Sequence, residues 1–165
     1  MGISINDIKI RTELKAGDIG YITYLHGIFH HNECGYGISF EAYVAEGLTE
    51  FFKNYNPECE RMWICEHDNK IIGSLLLMNR GNQTAQLRYY IIEPEYRGIG
   101  LGRKLMDLFM EFVKEKNYRQ CYLWTTDELK TASAIYLKYG FELSEEKESN
   151  DFGKRVIEQR YDLFL

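Results

Sequence analysis

The alternation of apolar and polar positions predicts a strand and two helices in the first third of the chain. Residues 5–12 alternate apolar and polar, as a strand with one wet face does. Residues 18–31 carry an apolar stripe at helical spacing, with Asp18 as the expected N-cap. Ser39 is the expected N-cap of a second amphipathic helix, and the loop between the helices covers 32–38.

The remainder of the chain predicts strands and helices in a mixed order. The expected elements are strands at 62–66, 71–78 and 87–93, a helix at 101–116, a strand at 121–125, a helix at 132–139 ended by Gly140, and strands at 141–147 and 155–164. This order predicts an α/β fold of the α+β type, in which a mixed sheet is covered by helices on both faces.

Composition narrows the classes of protein that fit. The 165 residues are 45% apolar and 27% charged, which predicts one domain over residues 1–165. The 20 basic and 25 acidic residues give a net charge of −5 without a basic cluster, so a nucleic-acid partner is not expected. The chain lacks an apolar run of about 20 residues and a signal-like start. We therefore expect a cytoplasmic protein without a membrane partner, whose four cysteines are reduced thiols.

The strongest chemical signal is a glycine-rich loop between a strand and a helix, Pro94-Glu95-Tyr96-Arg97-Gly98-Ile99-Gly100-Leu101-Gly102-Arg103-Lys104. The free N–H groups of a helix start favour a phosphate there. A Rossmann fingerprint would need glycine at Arg103, and a P-loop would need Gly-Lys-Ser/Thr at 102–104, so both fail. The pattern that remains is Arg-x-x-Gly-x-Gly; the alternative is a glycine-rich turn that binds no ligand.

Three ordered motifs resemble the GNAT N-acetyltransferase superfamily. They are Tyr90-Ile91-Ile92-Glu93-Pro94, the loop pattern at Arg97, Gly100 and Gly102, and Tyr136-Leu137-Lys138-Tyr139-Gly140-Phe141. The resemblance implies the GNAT fold, a mixed and mostly antiparallel sheet of about six to seven strands with four helices on both faces.

A narrower resemblance is to acetyltransferase domains fused behind MarR-type DNA-binding regulators. It rests on the segments Phe40–Ala45, Leu123–Asp127 and Phe152–Gly153. The chain has no room for a winged helix before Ile5, so direct operator binding is not expected. The resemblance to such domains also makes a homodimer through the final strands conceivable.

The resemblance implies acetyl-CoA as co-substrate, with its pyrophosphate on the loop amides and its pantetheine arm between two splayed strands. Many relatives carry asparagine at the positions of Thr126 and Leu129, and Thr126 keeps a hydroxyl there. The implied binding residues are Tyr90, Ile91, Ile92, Arg97, Gly98, Ile99, Gly100, Leu101, Gly102, Arg103, Thr126 and Tyr136.

The resemblance also implies direct attack of an amine on the thioester, with Tyr136 as the acid that protonates the departing thiolate. Some relatives place a glutamate on the strand before the loop, where this chain has Gln86 and Arg88. Glu33, Glu41, His30 and His31 lie in the segment that walls the acceptor site in such proteins. We take Glu41 as the expected general base.

Two functions follow from these motifs. The first is an acetyl-CoA-dependent N-acetyltransferase acting on a primary amine of a small molecule or peptide. The alternative is a non-catalytic acyl-CoA-binding sensor or interaction module, favoured by Leu129 and by the missing strand glutamate. His26 and His30 are one helical turn apart, but a third ligand at a defined spacing is missing, so no metal is expected.

Overall fold

The computed structural model describes residues 2–165, which form seven strands and four α-helices. The strands are β1 (Lys9–Arg11), β2 (Arg61–His67), β3 (Lys70–Asn79), β4 (Thr84–Ile92), β5 (Gln120–Thr126), β6 (Glu142–Ser149) and β7 (Val156–Phe164). The helices are α1 (Asp18–Cys34), α2 (Ile38–Lys53), α3 (Leu101–Glu115) and α4 (Lys130–Lys138). Within the same range, no helix is long and apolar enough to cross a membrane.

The strands form one sheet in the order β1-β2-β3-β4-β5-β7-β6. Every neighbouring pair is antiparallel except β4 and β5, which run parallel. The fold class predicted from the sequence, a mixed and mostly antiparallel sheet with four helices, is therefore confirmed.

Helices cover both faces of the sheet because the strands bury side chains on both sides. On β2, Trp63 and Cys65 belong to the core that contains α3, whereas Met62 and Ile64 belong to the core that contains α1 and α2. Successive residues of a strand point to opposite faces, so a strand buried on both sides shows a continuous apolar run.

The parallel pair β4 and β5 is short. Its ladder joins Thr84–Gln86 to Gln120–Tyr122, and the two strands separate beyond these residues. In contrast, β5 stays paired with β7 over its whole length, from Gln120 to Thr126. The sheet therefore opens on one side of β4 while it stays closed on the other.

A β-bulge lies on β4 where the two strands separate. The register with β3 shifts between Ser74 and Leu76, and Tyr89 adopts a φ of 53°. The hydroxyl of Ser74 donates a buried hydrogen bond of 2.7 Å to the Tyr89 carbonyl oxygen. Because a bulge bends its strand and re-aims its side chains, it directs this stretch of β4 into the opening.

The predicted strand over 5–12 is wrong in its first half. Residues Ile5–Asp7 form a short 3-10 helix, and only Lys9–Arg11 pairs with β2. The Ser4 side chain accepts from the Asn6 amide, and the Asp7 carboxylate accepts from the Ser4 amide at 2.8 Å. This reciprocal cap stabilises a helical turn where alternation alone indicated a strand.

Both predicted helix caps are also wrong. Glycines occupy the N-cap positions, Gly17 before α1 and Gly37 before α2, so Ser39 lies inside its helix. The Asp18 carboxylate instead accepts two hydrogen bonds from Arg11, at 2.7 and 3.0 Å, and joins α1 to the edge strand. Helix α1 also extends beyond its predicted end to Cys34, which shortens the connecting loop. The other predicted elements are present, with ends shifted by at most three residues.

Candidate active site

Two cavities meet where β4 separates from β5. The larger, of about 580 Å³, is lined by the end of β4, the glycine loop and α4. The smaller, of about 130 Å³, is lined by α1, α2, the middle of β4 and the end of β5. Four residues line both cavities: His30, Tyr90, Leu129 and Ala132. A group placed at this junction would be accessible from either side.

The glycine loop at the larger cavity has the features of an anion site. Gly98 and Gly100 have φ values of 83° and 90°, which residues other than glycine rarely adopt. Gly100 is the N-cap of α3, and no side chain caps the helix there. The first turn of α3 lacks an acidic residue and holds Arg103 instead, with Lys104 next to it. Basic side chains beside the positive end of a helix dipole are unfavourable unless an anion neutralises them.

The third glycine of the motif makes room for a side chain of β4. A Cβ atom on Gly102 would lie 2.6 Å from the Tyr90 hydroxyl oxygen. That hydroxyl is buried without a hydrogen-bond partner in the described chain, and burial raises the pKa of Tyr90. An unpartnered buried hydroxyl beside a cavity is a polar group that a ligand can satisfy.

The end of β4 exposes backbone to the same cavity. Beyond Gln86 the β5-facing edge of β4 has no ladder partner, and Tyr90, Ile91 and Ile92 line the larger cavity. Unpaired amides and carbonyls along an open edge suit an extended chain that carries amide groups of its own. The pantetheine arm of acetyl-CoA is such a chain, so the edge fits the expected co-substrate.

Eight of the twelve predicted binding residues line the larger cavity, and the four that do not are Ile99, Leu101, Thr126 and Tyr136. Arg97 lines it with its guanidinium already engaged, by the Ile92 carbonyl at 2.9 Å and by Glu33 at 2.8 Å. The Leu101 side chain is in the core and Ile99 packs against it, so neither side chain lines a cavity. Thr126 lines the smaller cavity, where its hydroxyl is 2.7 Å from that of Tyr36.

Tyr136 lines the smaller cavity from α4. Its ring centroid lies 6.2 Å from that of Tyr90, which lines both cavities. Burial, with a contribution from Tyr90, raises the pKa of Tyr136 above that of a free tyrosine. The phenol therefore stays protonated across the usual pH range, as a hydrogen-bond donor requires.

Two stacked histidines of α1 also line the smaller cavity. The rings of His26 and His30 are nearly parallel, with centroids 5.8 Å apart, and each Nδ1 donates to the backbone carbonyl four residues earlier. Because a carbonyl only accepts, Nδ1 carries the hydrogen and Nε2 of the neutral ring is a free acceptor. Burial lowers the pKa of His30, and it lowers that of His26 to about 3.

The structure does not bring the predicted base, Glu41, to either cavity. The Glu41 side chain instead lies against Gly27 of α1, where its Cγ and Oε1 are each 3.1 Å from the place of a Cβ atom. Helical periodicity does not determine where the Glu41 side chain points. Because Gly27 has no Cβ atom, there is space for the Glu41 side chain against α1. Of the other candidates, Glu33 pairs with Arg97, and His31 bonds to the Tyr36 carbonyl. Among the four candidate bases, His30 is the one that lines both cavities.

Several lining residues of the smaller cavity went unrecognised as site residues in the sequence. Trp124 comes from β5, Phe152 from the segment before β7, and Glu158 from β7 itself. From the sequence, Arg88 is only a residue on the strand where some relatives carry a glutamate. Their role depends on the opening of the sheet, which brings distant segments together. Within residues 2–165, no three His, Cys, Asp or Glu side chains are grouped to hold a metal.

Comparison with known proteins agrees with this geometry. The model of the acetyltransferase (GNAT) family matches residues 25–141. An N-acetyltransferase of Escherichia coli, YjgM, itself uncharacterized, is 32% identical over 98 residues, covering 58% of this chain and 59% of the relative. The chain thus spans less than two thirds of that relative, and smaller shares, 44% and 39%, of two further curated relatives.

Solved structures share the fold at low sequence identity. A GNAT family acetyltransferase from Staphylococcus aureus has a TM-score of 0.76 and 20% identity, covering 96% of this chain and 99% of its own. A GNAT family acetyltransferase from Elizabethkingia anophelis, solved with acetyl-CoA bound, has a TM-score of 0.67 and 15% identity, covering 97% and 99%. With the family match over most of its length, the chain belongs to the acetyltransferase (GNAT) family.

The contact between Gly102 and Tyr90 predicts a coupled pair of substitutions. Gly102→Ala should lower the free energy of unfolding by about 1–3 kcal/mol, because the new methyl group overlaps the Tyr90 hydroxyl. In a Tyr90→Phe background the cost should largely vanish, since the next nearest group, Ile92 Cδ1, is 3.6 Å away. Urea unfolding measures both. Gly20→Ala, a helical position with open space around it, is the control and should not destabilise. Additive effects of the two substitutions would contradict the contact.

The burial of His26 predicts a pH-dependent stability. The folded state holds the pKa of His26 at about 3, whereas an unfolded chain has about 6.5. Between these values the unfolded state binds a proton that the folded state does not, so stability falls as pH falls, by about 1.4 kcal/mol per pH unit. His26→Gln should lose less stability than the wild type between pH 6 and pH 4 in urea titrations. Equal slopes would show that His26 stays charged when folded.

Proposed function

We propose that this protein is an N-acetyltransferase that transfers the acetyl group of acetyl-CoA to a primary amine of a small molecule or peptide by direct attack. The observation that carries the proposal is the junction of two cavities at the open edge of β4. One cavity has the features of a donor site, and the other gives an acceptor access to the same point.

The larger cavity fits acetyl-CoA. The amides from Gly98 to Arg103 would face the pyrophosphate, with Arg103 and Lys104 as nearby cations. The open edge at Tyr90–Ile92 would bind the pantetheine arm and hold the acetyl carbonyl oxygen with a backbone N–H that is fixed in advance. The related Elizabethkingia anophelis structure with acetyl-CoA bound supports this assignment.

Acetyl-CoA supplies the acetyl group as a thioester, so a C–N bond to the acceptor forms as the C–S bond breaks. Tyr136 donates its phenolic hydrogen to the departing sulfur. Its raised pKa keeps that hydrogen in place until negative charge develops on the thiolate. The aromatic wall around Tyr136 limits access of water, which strengthens the hydrogen bond.

His30 takes the proton that the acceptor nitrogen loses. Its Nδ1 hydrogen is bound to the His26 carbonyl oxygen at 2.9 Å, which leaves Nε2 as the acceptor. The lowered pKa keeps the ring neutral before the reaction. His30 thus replaces Glu41 as the proposed base, because His30 lines both cavities and Glu41 lines neither.

The alternative function is a non-catalytic acyl-CoA sensor. Leu129 lies at the junction of the cavities without a polar group to offer, and the Thr126 hydroxyl is bound to Tyr36. The acceptor-side cavity favours the enzyme, because a sensor of acyl-CoA alone has no need of it. The resemblance to MarR-fused domains, the homodimer, the single domain and the cytoplasmic location stay predictions.

Replacing the proposed acid tests the enzyme directly. Tyr136→Phe should lower kcat about 100-fold or more while the KM for acetyl-CoA changes little, because only the hydroxyl is lost. Acetyl-CoA consumption is followed by chromatography against polyamines, amino acids, aminoglycosides and short peptides. Tyr118→Phe removes a buried hydroxyl that bonds to the Cys59 carbonyl away from both cavities, and it should retain activity. Saturable acetyl-CoA binding without amine-dependent CoA release would favour the sensor.

A second variant tests the proposed base. His30→Gln should lower kcat/KM about 100-fold near pH 7, and the deficit should narrow toward pH 10, where the acceptor amine is already neutral. Glu41→Gln should stay near the wild-type rate. The opposite pattern, a large loss in Glu41→Gln and none in His30→Gln, would return the role to Glu41. Unchanged affinity for acetyl-CoA shows that each variant keeps its donor site.

A further inference from the structure

The smaller cavity contains an arginine without a counterion. Arg88 lies on β4 directly before the bulge and lines the cavity. Among the described residues, no carboxylate oxygen lies within 4.0 Å of its guanidinium nitrogens. Arg11, Arg80 and Arg97, by contrast, each pair with an acidic side chain. Arg88 is half-buried, and its hydrogen bond to Tyr43 is accessible to solvent, so an anion that enters the cavity can reach the guanidinium.

The guanidinium of Arg88 is held in a fixed place by its neighbours. Its central carbon lies 4.8 Å from the ring centroid of Tyr89 and 5.6 Å from that of Tyr43. One terminal nitrogen donates to the Tyr43 hydroxyl at 3.3 Å. On α2, a Cβ atom at Gly47 would lie 2.9 Å from Nη2, so the glycine leaves space for the fork. The rings and the glycine position the charge but do not neutralise it.

The other ionisable groups of the cavity limit what can join Arg88. His26 and His30 are neutral near pH 7, because burial lowers their pKa values. Glu158 is the one acidic side chain among the lining residues, and it makes no ion pair with Arg88. It comes from β7, two strands away from β4, which is at least about 10 Å in a sheet. The cavity therefore has one basic and one acidic wall.

We propose that the acceptor is an amine that also carries a carboxylate, and that Arg88 binds this carboxylate. This inference rests on the proposed acetyl transfer and names the class of its acceptor. A guanidinium fork binds a carboxylate through two parallel hydrogen bonds, and the aromatic walls suit an apolar body between the charges. Glu158 disfavours a second anionic group. The amino group then lies toward His30 at the junction, and a free amino acid has this arrangement of groups.

Paired acceptors that differ only in the carboxylate test the proposal. The pairs are phenylalanine with phenethylamine, tryptophan with tryptamine, and leucine with 3-methylbutylamine, and kcat/KM is measured by chromatographic CoA release. The wild type should prefer the carboxylated member of a pair by about 10-fold or more. In Arg88→Met this preference should fall at least about 10-fold, through a raised KM for the carboxylated member. Comparing ratios between enzymes cancels the intrinsic reactivity of each amine.

Two control variants separate the charge from the fold. Arg119→Met removes an exposed arginine directly before β5, and it should keep the wild-type preference. Arg88→Lys keeps the charge without the fork and should give an intermediate preference, which also serves if the methionine variant is unstable. A preference that is absent in the wild type, or unchanged in Arg88→Met, overturns the proposal while acetyl transfer stands.

A binding measurement distinguishes failure of this inference from failure of the proposed activity. Calorimetric titration of each amino acid into the CoA-loaded protein is compared between the wild type and Arg88→Met. Binding that depends on Arg88 without any turnover supports the carboxylate site and overturns the proposed enzyme activity. If neither turnover nor Arg88-dependent binding is observed, both the carboxylate site and the proposed enzyme activity are overturned.

Discussion

The early separation of β4 from β5 is the constraint on which the whole site depends. Three residues of each strand pair, and then β5 follows β7 while β4 follows β3. The bulge at Tyr89 makes this divergence sharp, and the buried bond from Ser74 to the Tyr89 carbonyl stabilises it from the side of β3. Both cavities and the unpaired edge of β4 result from this one departure from regular pairing.

Glycines on the helices provide the space that this departure needs. Gly47 on α2 accommodates the Tyr89 hydroxyl and the Arg88 fork, and Gly102 on α3 accommodates the Tyr90 hydroxyl. The side chains of Arg88, Tyr89 and Tyr90 thus fit against α2 and α3 because each helix has a glycine, without a Cβ atom, at the point of contact. The glycine loop, proposed above as a phosphate site, therefore also contributes to packing, since its third glycine faces the strand.

The sequence predicted the fold well, because its elements depend on local signals, and local signals also carry the proposed donor site. Apolar periodicity located nearly every element. The pattern that predicts the glycine loop lies within eleven consecutive residues, so it can be recognised without the fold. The first half of the predicted strand over 5–12 is wrong because the capping box at Ser4 stabilises a 3-10 helix despite the alternation of apolar and polar residues. Helical spacing does not say which way the Glu41 side chain turns, and the side chain lies against Gly27, outside both cavities. The residues of the smaller cavity come from β4, β5, β7 and three helices, and only the folded sheet brings them together.

The two halves of β4 serve two different ligands in the proposed enzyme. Its last residues and the loop after them meet the donor, whereas Arg88, before the bulge, meets the acceptor. A substitution at position 88 changes the charge of one cavity and leaves the loop, the open edge and the first turn of α3 as they are. Acceptor choice in this architecture is therefore separable from donor binding, and a lineage can change what it acetylates through single side chains while it keeps the same acetyl donor.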